Sequence, residues 1–347
     1  MKSEHWLRIG KLVLVAGLWL TQSAVGAELR IGIIGCDTSH CVAFTETFNN
    51  PQGKSYVPGG KVVAAYKGGS ADLPQSISRV ENIATNLQSK YGVKIYDTIE
   101  ELCSNVDVIL LESVDGRPHL AQVRPVIAAR KPVFVDKPCT ASLEDALEMF
   151  RLSKAANVPI FSSSSLRFAK DTQAVHSGSI GKVFCAETTS PLELEPHHPE
   201  LFWYGVHGVE SLFTVMGTGC ETVQRRIGTN GLVEVVGTWH GGRTGIYREE
   251  KQKNYNANYH GIAKGEKGEA KIGSFDGYAP LDEAIMKFFQ NGVAPVPPEE
   301  TIEIMAFMQA AQESKDRDGA IIRLEDVITK VHQQVRADSG KTLAHEN

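Results

Sequence analysis

Two side chains in this sequence stand where proton and charge transfer could be carried. Lys137 follows Val133-Phe134-Val135, a short apolar run, and lies between Asp136 and Pro138. A lysine at the carboxyl end of a parallel strand sits in the ligand crevice of a doubly wound sheet. Its ammonium there can polarise a carbonyl oxygen or stabilise an alkoxide. A surface lysine after an edge strand is the inert alternative. His207 is a candidate proton carrier, because imidazole has the reference pKa nearest neutrality. Glu210 lies three residues on, so the two share a helix face and the carboxylate can orient the ring. A purely structural His–Glu pair is the alternative.

A third group follows the apolar run Leu29–Ile34: Gly35-Cys36-Asp37-Thr38-Ser39-His40, leading into a helix. In a dinucleotide fingerprint the first glycine makes the tight turn, the second admits the pyrophosphate, and the third lets helix and strand pack closely. Only Gly35 is kept. Asp37 takes the second place and His40 the third. A carboxylate beside a pyrophosphate repels it unless it turns away, and Asp37 or Ser39 can instead simply cap the helix. The next strand ends in Tyr66-Lys67-Gly68-Gly69-Ser70, without the acidic residue that binds ribose hydroxyls. Lys67 and Ser70 can meet a 2′-phosphate, or form an exposed turn. The residues set against a dinucleotide are thus Gly35, Asp37, Thr38, Ser39, His40, Lys67, Ser70, Asp136 and Pro138.

Substrate contacts are sought at His119 and Arg167, which stand at strand ends facing the same crevice, and at Trp203 and Tyr204. With Phe202 these aromatics form an apolar platform for a sugar face, or pack in a core. The loop before them holds Glu193, Glu195, His197, His198 and Glu200, whose spacing matches no defined metal site. No metal site is expected there or elsewhere.

Strand-like and helix-like segments alternate as far as residue 165, with apolar runs 29–34, 61–66, 93–96, 108–114, 132–135 and 159–161 separated by helical patterns at 41–48, 78–91, 99–106, 120–129 and from Ser142. Ser142 caps the last, with Asp145 at the capping-box position. Such alternation means βαβ units and a parallel sheet. From 182 to 273 strands at 183–189, 222–228, 233–238 and 244–248 are interrupted by one helix, 205–216, which suggests an open antiparallel or mixed sheet. Helices 281–290 and 299–314 follow. The fold class expected is α/β: a Rossmann domain over 28–165 and a second α/β domain, for substrate and oligomerisation, over 166–347.

The segment Val133–Pro138 with the helix start at Ser142 resembles the Glu-Lys-Pro region of the Gfo/Idh/MocA oxidoreductases, the glucose–fructose oxidoreductase and inositol dehydrogenase family. The likeness extends back to Ile31–Gly35 and to Asp115-Gly116-Arg117-Pro118-His119, at the place of that family's Asn-x-x-His loop. It extends forward to Gly205-Val206-His207-Gly208-Val209-Glu210, similar to its Gly-x-His-x-x-Asp helix. The resemblance implies a nicotinamide cofactor, NAD or NADP, and a sugar or polyol substrate. It also implies a homo-oligomer, dimer or tetramer, built on the open sheet. By the same resemblance Lys137 hydrogen-bonds the reacting hydroxyl. Trp203 departs from the pattern, since the family has an acidic residue four before the histidine. Some family members are glycosidases that oxidise, eliminate and reduce again with a retained NAD. The altered first turn also leaves room for a carbohydrate-binding or regulatory protein without a dinucleotide.

Composition is that of an ordinary globular chain: 347 residues, 42% hydrophobic and 22% charged, with net charge -5. No basic stripe supports a nucleic-acid partner. Lys2, Arg8 and Lys11, the apolar run Leu12–Leu20, and Val25 and Ala27 form the pattern of a secretory signal peptide, residues 1–27, cleaved after Ala27. The apolar run is short for a membrane span, so a periplasmic or secreted protein free of the membrane is expected, with an uncleaved anchor as the alternative. No twin-Arg pair is present. The six cysteines have no paired spacing and read as buried small residues.

Overall fold

The structure, a computed structural model, describes residues 27–345; the expected leader, apart from Ala27, lies outside them. The first half forms a six-stranded parallel sheet in the order β3-β2-β1-β4-β5-β6. Its strands are β1 (Leu29–Ile34), β2 (Gly60–Tyr66), β3 (Lys94–Tyr96), β4 (Val108–Leu111), β5 (Val133–Val135) and β6 (Ile160–Ser162). Helices α1 (Ser39–Asn49), α2 (Pro74–Ile77), α3 (Val80–Tyr91), α4 (Ile99–Asn105), α5 (His119–Ala128) and α6 (Leu143–Ala156) connect them. The central strands are apolar on both faces because helices cover both: Ile31, Ile33, Ile34, Ile109, Leu110 and Leu111 are wholly buried. Helix α6 begins where its cap requires, with the Ser142 hydroxyl accepting from the Asp145 N–H at 3.1 Å, and it closes on left-handed Asn157. The helix expected over 78–91 forms as α3, two residues shorter at its start. Pro74 opens a separate turn, and the Ser76 hydroxyl in it is drawn to other partners.

The second half forms a seven-stranded mixed sheet in the order β12-β11-β7-β10-β9-β8-β13. It comprises β7 (Val183–Ser190), β8 (Cys220–Ile227), β9 (Val233–Trp239), β10 (Arg243–Glu249), β11 (His260–Gly265), β12 (Gly268–Ile272) and β13 (Ile322–Arg323). Only β7 and β10 run parallel among its pairs. Helix α7 (Lys170–His176) leads into this sheet and α8 (Val206–Met216) packs on it. The β11–β12 hairpin escaped the sequence because glycine-rich, lysine-rich strands carry a weak apolar signal.

Helix α9 (Ala279–Asn291) returns to the first sheet, although it lies in the second half of the chain. Its Leu281, Ile285, Met286, Phe288 and Phe289 share one core with Ile31, Ile33, Phe44, Phe48, Phe134 and Phe161. Helices α10 (Pro298–Asp316) and α11 (Leu324–His345) then pack on α6 and on the second sheet. All six cysteines are free, and five are buried.

At the first turn, Gly35 is required by the backbone. Its φ is +90°, and a Cβ there would lie 2.3 Å from the Ser113 Oγ. This contact joins the ends of β1 and β4, the strands between which a doubly wound sheet opens its crevice.

Candidate active site

A cleft of about 360 Å³ opens at the carboxyl ends of these strands. Thr38, Ser39 and His40 line it from the start of α1, Lys137 from the end of β5, and Tyr204 and His207 from the second sheet's helix. Tyr255, Tyr259 and Tyr278 line the side contributed by the second half. The Lys137 ammonium lies 4.9 Å from the centre of the Tyr204 ring, a cation–π contact.

The loop carrying Lys137 is held from below. His119 is fully buried, with Nδ1 3.0 Å from the Cys139 carbonyl and Nε2 2.8 Å from the Ser113 carbonyl. It thus staples the end of β4 to the Lys137-Pro138 loop, whose Lys–Pro peptide is cis. Gly116 lets the two loops touch: a Cβ there would stand 2.8 Å from Thr140 and 2.9 Å from the Pro138 ring. The expectation that His119 contacts substrate is corrected by this burial, which also lowers its pKa despite the two carbonyls. Pro138 too is buried beneath the cleft rather than lining it.

His207 keeps its place in the cleft, but its partner differs from the one expected. Its Nδ1 lies 2.8 Å from the Ser164 hydroxyl, which also accepts the Leu166 N–H. Glu210 instead accepts from Arg167 Nε at 2.5 Å and from the Ser163 hydroxyl at 2.9 Å. The second guanidinium arm reaches Glu300 at 2.7 Å. Arg167, expected to meet substrate, is therefore buried between two carboxylates. A buried guanidinium requires such counter-charge, and this demand takes Glu210 from the histidine. Burial first, then Lys137 and His40 across the cleft, hold the His207 pKa well below the ordinary imidazole value. This environment favours the uncharged ring.

The first turn resolves the problem of its carboxylate. Asp37 is fully buried and faces inward, accepting from the Ser76 hydroxyl at 2.6 Å and from the Val114 N–H at 2.9 Å. Thr38, not Asp37 or Ser39, caps α1. The His40 Nδ1 lies 2.6 Å from Asp136. Although burial opposes it, His40 and Lys137 hold the Asp136 pKa below the usual carboxylate value.

Lys67 and Ser70, set against a 2′-phosphate, make contacts within the chain. Lys67 pairs with Glu81 at 2.7 Å outside the cleft, and the Ser70 hydroxyl donates to Asp115 at 2.6 Å. Asp115 also binds Arg117, which reaches on to Asp72. Trp203 packs against Leu73, Val114 and the His198 ring, so of the expected aromatic platform only Tyr204 faces the cleft. The acidic and histidine-rich loop disperses: His198 turns to Asp115 and the Gly116 N–H, His197 to Glu195, Glu200 to Arg225 and Lys315, while Glu193 lines the cleft. Gln75, Arg79 and the three tyrosines from residues 255–278 line the cleft without having been singled out, since nothing in their local spacing marks them.

Residues 29–163 match the Gfo/Idh/MocA family, described as an oxidoreductase family with an NAD-binding Rossmann fold. Over 135 residues the chain is 32% identical to the myo-inositol 2-dehydrogenase of Thermotoga maritima, covering 37% of this chain and 39% of that protein. It is 30% identical over 135 residues to the 1,5-anhydro-D-fructose reductase of Ensifer adhaerens, covering 38% and 40%. The aligned stretch therefore spans about two fifths of these relatives' length. The fold extends further. The scyllo-inositol dehydrogenase of Lactobacillus casei, solved with NAD(H) and scyllo-inositol bound, superposes with a TM-score of 0.66 at 14% identity, covering 86% of this chain and 99% of that one. A probable dehydrogenase from Thermotoga maritima gives a TM-score of 0.67 at 21% identity, covering 86% and 100%. Over residues 29–163, its Rossmann half, the chain is thus similar to the Gfo/Idh/MocA oxidoreductases.

The donor set at the first turn suits the diphosphate of that family's cofactor. The opening N–H groups of α1 have no partners within the helix, Ser39, His40, Arg79 and Lys137 face the cleft, and Asp37 is turned away. The side beyond Asp37 is filled by the chain itself. Residues 70–79 form a strap tied by Ser76 to Asp37, by Ser70 to Asp115 and by Asp72 to Arg117, with Leu73 wholly buried.

Proposed function

We propose that the protein is an exported NAD-dependent oxidoreductase acting on a secondary alcohol of a sugar or polyol. The observation that carries this reading is the meeting of Lys137 and His207 in one cleft beside the start of α1. A bound nicotinamide supplies the hydride acceptor or donor. The Lys137 ammonium stabilises the charge on the substrate oxygen as the alcohol becomes a ketone. His207 takes the hydroxyl proton, and the Ser164 hydroxyl at its Nδ1 fixes the ring's orientation. The relatives' inositol and anhydrofructose substrates support a polyol or sugar here. NAD is preferred to NADP because Lys67 and Ser70 are already engaged.

The pH profile tests the proton carrier. Because the His207 pKa is lowered, its basic form persists below the ordinary imidazole value. The kcat/KM for alcohol oxidation should stay level as pH falls through ~6.5 and decline only further down. His207→Gln should lower the rate by roughly 10²–10⁴-fold and remove that limb. A limb unchanged in the variant assigns the proton to another group.

A second reading is favoured by the strap at residues 70–79: a carbohydrate-binding protein that uses the same cleft without a dinucleotide. We extend the first reading to location and assembly. N-terminal sequencing of exported material should begin at Glu28, and a chain still carrying Met1 at the membrane would mean an anchor. Light scattering should find a dimer or tetramer, formed through the sheet face on which Phe184 and Ile262 stand exposed.

A further inference from the structure

Beneath the cleft the ends of two neighbouring strands bring acidic groups together. Glu112 follows β4 and Asp136 follows β5, while His40 reaches over them from the first turn of α1. One ligand atom from each lies within 4.8 Å of the others. Glu112 is wholly buried, and neither of its carboxylate oxygens has a hydrogen-bond partner. Asp282, from α9, is equally buried and its oxygens also lack hydrogen bonds. Asp136 is answered by the His40 ring, by its own loop's N–H and by the charge of Lys137, which it shares with Glu112.

A buried carboxylate needs a cation or N–H and O–H donors when ionised, and an acceptor for its O–H when neutral. Glu112 has no hydrogen-bond partner, and the cation acting on it, Lys137, is shared with Asp136 and lies against the Tyr204 ring. Yet Glu112 lies beside two groups that ligate metals. We infer that His40, Glu112 and Asp136 bind a divalent first-row transition ion, of the Zn²⁺ or Mn²⁺ type, at the floor of the cleft. One imidazole and two carboxylates form a mixed N/O donor set that suits these ions better than the all-oxygen shells of Ca²⁺ or Mg²⁺. The ion neutralises the surplus negative charge and replaces the direct His40–Asp136 contact with two bonds to itself. Three protein ligands leave a coordination position open, as in sites that exchange water or substrate. His40, which lines the cleft, connects the ion to that space.

The test uses the whole mature protein, purified without chelator and assayed by elemental mass spectrometry. About one Zn²⁺ or Mn²⁺ per chain is expected. Protein stripped with chelator and titrated calorimetrically with Zn²⁺, and separately with Mn²⁺, should take up one of them saturably, and its melting temperature should rise. Glu112→Gln keeps the shape and removes the charge, so it should fold, melt cooperatively without metal, and bind the ion at least tenfold more weakly. His40→Gln should weaken it likewise. The inference is overturned if folded wild-type protein retains no metal and takes up neither ion. Undiminished binding by Glu112→Gln overturns it as well.

Discussion

Lys137→Met should reduce kcat by at least ~10²–10³-fold, the loss seen when one donor to a developing oxyanion is removed. The kcat and kcat/KM should fall together, because the interaction is made in the transition state. The fold should survive. The ammonium touches the Tyr204 ring rather than a buried carboxylate, and the loop beneath is held by His119 and Gly116. Lys137→Arg should not restore full activity, since a planar fork cannot place its charge where a point ammonium stood. The comparison is made by steady-state kinetics on protein whose circular dichroism and melting match the wild type. Full activity in Lys137→Met would assign the oxygen's charge to another donor.

The second large effect falls on stability. Arg167→Met leaves Glu210 and Glu300 facing one another without their shared cation. Breaking a buried pair from one side costs about 3–5 kcal/mol, measurable by denaturant unfolding. Burial, partly offset by Arg167, already raises the Glu210 pKa. A carboxyl group whose pKa is higher in the folded protein stabilises most below its unfolded value, and that contribution is lost as pH rises. The deficit of Arg167→Met should therefore shrink toward acid pH and widen toward neutral pH. Adding Glu210→Gln should recover part of the loss, so the double variant costs less than the sum of the singles. Strictly additive losses would mean that Arg167 and Glu210 do not act as a unit.

These two residues also show how far the sequence could be read. Lys137 was legible because apolar strand, charged residue and proline together announce the end of a parallel strand, where chemistry gathers. Glu210 was misread because helical spacing states which residues share a face and says nothing of a guanidinium arriving from residue 167. His119 misled for a similar reason: its place at a strand end is right, but two carbonyls close over it. The alternating elements of the Rossmann half were visible through their periodicity, whereas the return of α9 to the first sheet was not, since an amphipathic helix does not name its partner. The strap was hidden in a segment read as exposed turn and helix, although Pro74 marked the break. Glu112 stands directly after Val108–Leu111, where burying a carboxylate is costly, and that position alone marks it for attention.

Whether the cleft serves a dinucleotide is decided by isothermal titration of the purified protein with NAD⁺ and with NADP⁺. Released nicotinamide is first measured by absorbance after denaturation, so that retained cofactor is counted. One dinucleotide per chain is expected, retained or taken up saturably, with NAD⁺ bound more tightly than NADP⁺. Folded protein that retains no nicotinamide and gives no binding heat with either would contradict it, and the strap at residues 70–79 would then be a permanent filling of the site.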